Sequence, residues 1–174
     1  MMRCAVIYSS RTGNTKMVAE AVLEALPEGT AIYPVASAPD PESFDFLALG
    51  FWADKGKPDA AMQTYMDRVA GKNRAIGLFG TLGAYPDSDH GKEILRAARE
   101  SVAGNRILGE FLCMGKIDPN VLQMMEAMRA RGKDQAHPMT PERAARIKEA
   151  EKHPDAADLE NARIVFRDSI AKAG

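Results

Sequence analysis

The chain reads as an α/β protein built on a parallel sheet with helices on both faces, because three features recur in step along it. Five short apolar runs alternate with segments of helical period, and turn residues separate them at each junction. The runs carry apolar residues at nearly every position, as strands covered on two sides must. At 174 residues, with 45% hydrophobic and 27% charged, the composition suits a single globular domain spanning 1–174.

The first run, Arg3 to Tyr8, is a buried strand. After it Met17, Val18, Ala21, Val22, Ala25 and Leu26 recur on one helical face, opposite Lys16, Glu20 and Glu24, until Pro27 and Gly29 end the pattern. Ala31 to Val35 is the second strand, and Pro34, which has no N–H to give a ladder, assigns it to a sheet edge. Phe44 to Phe51 reads as a central strand running into a loop with Trp52, Gly56 and Pro58, before a helix over Ala60 to Val69. Arg74 to Phe79 is the fourth strand, followed by a loop from Gly80 to Asp89 and a helix carrying Ile94, Leu95, Ala98 and Val102. Ile107 to Met114 is the fifth.

Pro119 to Arg131 has a helical pattern, and Thr140 before Pro141 supplies an N-cap with proline at the first helical position. The last helix starts near Asp155 or Asp158 and docks through Leu159, Ala162, Phe166 and Ile170. The stretch of about 116–154 exceeds a simple strand-to-helix connection and reads as an appended helical surface segment. Met114, Met124, Met125 and Met128 there suit packing against the sheet edge, or else an adaptable partner face.

Several classes of function fall away on composition. A formal net charge of -1 gives no field for nucleic acid or an anionic membrane. No apolar run reaches the roughly 20 residues that cross a bilayer, and the N-terminus lacks a signal-peptide pattern, so the cytoplasm is expected. Cys4 and Cys113 lie in separate strand-like runs, as small buried hydrophobes. His90, His137 and His153 have no metal-binding spacing and are read as surface or loop residues.

Chemistry concentrates between the first strand and the first helix. Ser10, Thr12, Asn14 and Thr15 put hydrogen-bonding side chains there, and Gly13 lets a ligand approach the backbone. The helix start adds unpaired N–H groups and a positive dipole end, which hold an anion without a lysine. The loop lacks the three glycines of the dinucleotide fingerprint and the Gly-Lys ending of the Walker loop, so a mononucleotide is the better ligand.

The segment Ile7-Tyr8-Ser9-Ser10-Arg11-Thr12-Gly13-Asn14-Thr15 resembles the phosphate-loop signature of flavodoxins. The resemblance covers about 3–114 and, loosely, the last helix. It implies a three-layer doubly wound fold, strand order 2-1-3-4-5, with FMN as cofactor and Ser9 to Thr15 around its phosphate. It further implies that the loops after the third and fourth strands sandwich the flavin ring. Trp52, Ala53, Asp54, Lys55 and Gly56 would lie on one side, and Thr81, Leu82, Gly83, Ala84 and Tyr85 on the other, with Trp52 and Tyr85 stacking.

Two features depart from the family. Lys55 and Lys57 place positive charge beside Trp52, where many flavodoxins are acidic, which would favour a reduced, anionic flavin. Arg11 within the phosphate loop is atypical, and it is expected either to pair with the phosphate or to point to solvent. The implied function is electron transfer from a reductase to a partner enzyme by a monomer, with no catalytic residue, nucleic acid, membrane or metal. An FMN-dependent NAD(P)H reductase acting on a quinone or other small acceptor is the alternative.

Overall fold

The structure, a computed structural model, describes residues 1–133 and 138–174; His137 lies outside them. Strand β1 (Cys4–Tyr8), helix α1 (Asn14–Ala25) and strand β2 (Ala31–Pro34) come first. Strand β3 (Phe46–Asp54), the short β4 (Lys57–Pro58), α2 (Ala60–Val69), β5 (Ala75–Leu82), α3 (Asp89–Ser101) and β6 (Arg106–Met114) follow. Helices α4 (Pro119–Ala130), α5 (Pro141–Ala150) and α6 (Ala156–Ala173) complete the order.

The five long strands pair in parallel in the order β2-β1-β3-β5-β6, and β4 pairs antiparallel with β3 off this path. With β4 set aside, this is the expected order of five strands. Pro34 does sit in an edge strand, where its missing N–H costs nothing on the open side.

Two-residue periodicity sorts the sheet's side chains into two cores. Ala5, Ile7, Leu47, Leu49, Ile76 and Leu78 pack with Met62, Met66 and Val69 of α2 and Ile94 and Ala98 of α3. Cys4, Val6, Phe46, Ala48, Ala75 and Phe79 pack on the other face with Val18 and Val22 of α1 and Ala162 and Phe166 of α6. Phe166 meets the ring of Phe79 edge-on, with centroids 5.7 Å apart. Gly77 makes that approach possible, because a Cβ there would lie 2.4 Å from the Phe166 ring.

Both cysteines are buried, and burial pushes both thiols up, so they stay protonated and act as small apolar core groups. Asp155 and Asp158, the two candidate starts of the last helix, are the two halves of one capping box.

Three sequence expectations change. First, β3 does not stop at Phe51 but runs through Trp52 and Ala53 to Asp54, because Ala53 and Asp54 find partners in Pro58 and Lys57. The connection is a two-residue hairpin turn at Lys55 and Gly56, with φ of 51° and 82°, the pair of positive values that a type I′ turn requires. Second, β5 continues through Thr81 and Leu82, paired with Cys113 and Met114. Third, Met114 is buried in β6 whereas Met124 and Met128 are exposed on α4, so the four methionines do not form one face. Helix α4 buries no residue and α5 buries Ala150 alone. Among the described residues, no helix is long and apolar enough to cross a membrane.

Candidate functional site

A cleft of about 200 Å³ opens beyond the carboxyl ends of β1, β3, β5 and β6, the end at which open parallel sheets bind ligands. Ser10, Arg11, Thr12, Asn14 and Thr15 line it from the loop and first turn after β1. Trp52, Ala53 and Asp54 come from the end of β3, and Thr81, Leu82 and Gly83 from the end of β5. Gly115, Lys116, Ile117, Asp118 and Val121 enter from the connection after β6.

The first loop is ordered by its own hydroxyls. Ser10 Oγ accepts from the N–H groups of Gly13 and Lys16, at 3.1 and 3.2 Å, which leaves the Ser10 hydroxyl proton free to be donated. Gly13 is the N-cap of α1 at φ 97°, a left-handed conformation that a side chain disfavours. Asn14 and Thr15 are the first two residues of the helix, so their N–H groups have no helical acceptor. Thr15 is buried and shares a hydrogen bond with Thr81 across 2.9 Å, tying the helix start to the end of β5.

Asp59, which the sequence reading passed over, fixes this floor to the Trp52 wall. Its buried carboxylate accepts from Ser9 Oγ at 2.7 Å, from Trp52 N at 3.3 Å, and from Met62 N at 3.2 Å as the N-cap of α2. Ser9 is thereby turned away from the cleft, toward α2.

The connection after β6 was also missed as a wall. Asn14 Nδ2 donates to Lys116 O at 2.9 Å, and Lys116 N donates to His153 O at 3.1 Å, so this loop is tied to α1 on one side and to the α5–α6 junction on the other. Ile117 packs against Gly83, where a Cβ would come within 2.8 Å of it. The signal available in sequence was topological: Gly115 to Asp118 follow a fifth parallel strand, as the other walls follow theirs.

Six expected site residues do not line the cleft. Ser9 bonds Asp59, and Gly13 shapes the loop from behind. Lys55 and Gly56 form the hairpin turn beyond the strand, and Lys55 and Lys57 are exposed. Ala84 packs toward the α2–α3 core. Tyr85 faces a separate depression with Met125, Pro138, Thr140, Glu142, Arg143 and Arg146, because Pro86 and the start of α3 turn the chain away after Gly83. Arg11 is exposed, as one of the two expectations had it, yet its side chain is also engaged. Its guanidinium lies over the Trp52 ring, 5.4 Å from the centroid, and its Nε is 3.2 Å from Asp118 Oδ2.

The donor set suits a phosphate monoester joined to a planar ring: a hydroxyl proton, two unpaired N–H groups and a helix dipole at one end, an indole face at the other. The volume is below the roughly 300 Å³ at which small-molecule sites usually begin. Both Arg11 and the Trp52 ring beneath it line this cleft.

A flavodoxin-domain family model matches residues 5–167. The chain belongs to the flavodoxin family. The flavodoxin-like domain-containing protein BilS of Clostridioides difficile is 30% identical over 177 residues, covering 99% of this chain and 98% of that protein. Among solved structures, a short-chain flavodoxin associated with a bacterial microcompartment superposes with a TM-score of 0.65 over 100% of both chains, at 13% identity. A flavoprotein in complex with FMN from Lactobacillus acidophilus gives 0.53 at 14% identity, over 64% of this chain and 93% of that one.

In this flavodoxin the α5–α6 junction next to the cleft carries a titrating group. His153 bonds Asp158 and Glu149 and lies 3.9 Å from an Asp155 oxygen. Its pKa is raised, first by the Asp158 hydrogen bond and further by the surrounding carboxylates, with burial opposing. A raised folded pKa means stability that is full below the unfolded value of about 6.5 and fades as pH climbs through the folded one. His153→Gln is therefore expected to lower Tm more at pH 6 than at pH 9, and melting curves at the two values check this. An equal loss at both would show that the imidazolium contributes nothing.

Proposed function

We propose that this flavodoxin binds FMN in the cleft and carries electrons from a reductase to a partner enzyme. The observation that carries the reading is the convergence of a hydroxyl-rich helix start and the Trp52 face in one cleft, drawn from loops far apart in sequence. FMN, when bound, supplies a centre that accepts and releases electrons one or two at a time.

The chain's own part is placement. Ser10 would donate a hydrogen bond through its free O–H to the phosphate, Asn14 and Thr15 would add N–H donors, and the α1 dipole would favour the anion without a buried lysine. Trp52 offers its face to the ring, while Leu82, Ile117 and Val121 exclude water. Met124 and Met128 expose thioethers on α4, the helix that borders the cleft, and thioethers fit varied protein surfaces.

A specific feature supports a second reading, an FMN-dependent NAD(P)H reductase acting on a quinone or other small acceptor. The depression lined by Tyr85, Met125, Glu142 and Arg146 begins two residues beyond Gly83, and the Arg146 guanidinium there suits an anionic group of a nucleotide. Direct NADH or NADPH oxidation by the purified protein with a quinone, and no added reductase, separates the two.

Titration of the apoprotein with flavins, followed by quenching of flavin fluorescence, tests the cofactor. FMN is expected to bind at least about tenfold tighter than riboflavin, which lacks the phosphate and its charge-assisted bonds. Trp52→Ala is expected to weaken FMN by about tenfold through lost stacking. Equal affinity for FMN and riboflavin would remove the phosphate site, and no flavin binding at all would remove the reading.

A further inference from the structure

We propose that Arg11 gates the ring slot of the cleft: its guanidinium lies on the face of Trp52 that a planar ring would take, and Asp118 holds it there. The inference rests on the cleft being a flavin site. Arg11 comes from the loop after β1, Trp52 from the end of β3 and Asp118 from the connection after β6, so the contact spans the mouth from one wall to the other. All three line the same cleft, and with the guanidinium in place the cleft is smaller than a flavin needs.

Magnitude decides between a block and a gate. The Asp118 side chain is only 15% exposed, but the Arg11 guanidinium that meets it and the indole belongs to a side chain 48% exposed, so water reaches both contacts from the Arg11 side. Together they reduce the open fraction by about five- to thirty-fold, which slows entry without preventing it.

Opening also leaves no bare buried charge. Asp118 Oδ1 keeps the N–H of Asn120 at 2.8 Å as the N-cap of α4, whether or not Arg11 remains on Oδ2. Because the gate competes for the indole face, it acts on every flavin alike, with or without a phosphate. A phosphate-binding arginine would do the opposite.

Trp52 is the one tryptophan in the chain, so its emission reports the contact without any flavin. In the apoprotein, Arg11→Ala and Asp118→Asn are expected to raise acrylamide quenching of Trp52. Added salt is expected to raise it in the wild type but not in Arg11→Ala, since screening weakens the ion pair. Asp118→Asn retains a good N-cap, which keeps α4 intact. In stopped-flow mixing, Arg11→Ala is expected to take up FMN and riboflavin about five- to thirty-fold faster than the wild type, and Asp118→Asn, which loses the ion pair but keeps the contact with the indole, up to about fivefold faster.

Unchanged quenching in both variants overturns the gate whatever binds. Slower FMN uptake by Arg11→Ala with unchanged riboflavin uptake also overturns it, and makes Arg11 a phosphate partner. Raised quenching with no flavin uptake by any form removes the cofactor reading, and the gate's ligand with it, while leaving the Arg11 contact established.

Discussion

Phe166→Ala is expected to lower the unfolding free energy by about 3–5 kcal/mol, the range for removing a fully buried aromatic ring. The ring is completely enclosed, contacts Phe79 edge-on, and fills the notch left by Gly77. Gly77 is backbone in a central strand and Phe79 is pinned between strands, so the walls have little freedom to collapse into the cavity. For a chain of this size each kcal/mol corresponds to about 2–4 °C in Tm, so a fall of about 10 °C follows. Urea denaturation with an unchanged m-value checks it. Ile164→Ala, on the same helix but 47% exposed, is the control and is expected within about 0.5 kcal/mol of wild type. A similar small loss at Phe166 would mean that α6 is not docked on the sheet in this register.

Asp59→Ala carries the second large effect, about 2–4 kcal/mol. It removes the N-cap of α2 and leaves the Ser9 hydroxyl and the Trp52 N–H without their acceptor. Asp59→Asn keeps one acceptor oxygen and a good capping residue, so its loss is expected to be about half as large. Because Asp59 joins the loop before α1 to the Trp52 wall, Asp59→Ala is also expected to weaken FMN more than an equally destabilising change remote from the cleft, such as shortening Val102. Denaturation and flavin titration of the same samples measure both effects. Equal FMN affinity in the Asp59→Ala and remote variants would show that the carboxylate supports α2 alone.

The parallel sheet was legible because its strands are apolar at nearly every position and its helices have a clear polar side; the run from Cys4 to Ile7 and the spacing of Val18 and Val22 admit little else. Pro34 located the edge strand because a missing N–H is a local, chemical fact. The hairpin after Trp52 was not legible, since its turn is Lys-Gly, and lysine carries no strong preference for the positive φ it adopts at residue 55. The self-bonded loop before α1 could be read from its hydroxyls and Gly13, because those properties belong to the residues themselves. What Arg11 and Tyr85 do depended on which neighbour each met, and Trp52, Asp118 and Met125 are brought to them only by the fold. Asp59 was hidden for the same reason, as its Ser9 partner stands 50 residues earlier.

The bond from Asn14 to Lys116 joins residues 102 positions apart, and α1 shares its face of the sheet with α6, the last helix of the chain. During synthesis, which delivers about 5–20 residues per second, the loop between β1 and α1 therefore waits many seconds for its far wall. Four of the five long strands can assemble first, but one face of that sheet stays half uncovered until Phe166 clears the ribosome. The loop after β1 is thus made well before the wall it is tied to, and a nascent chain stalled before residue 116 would display that loop without the strap that holds it.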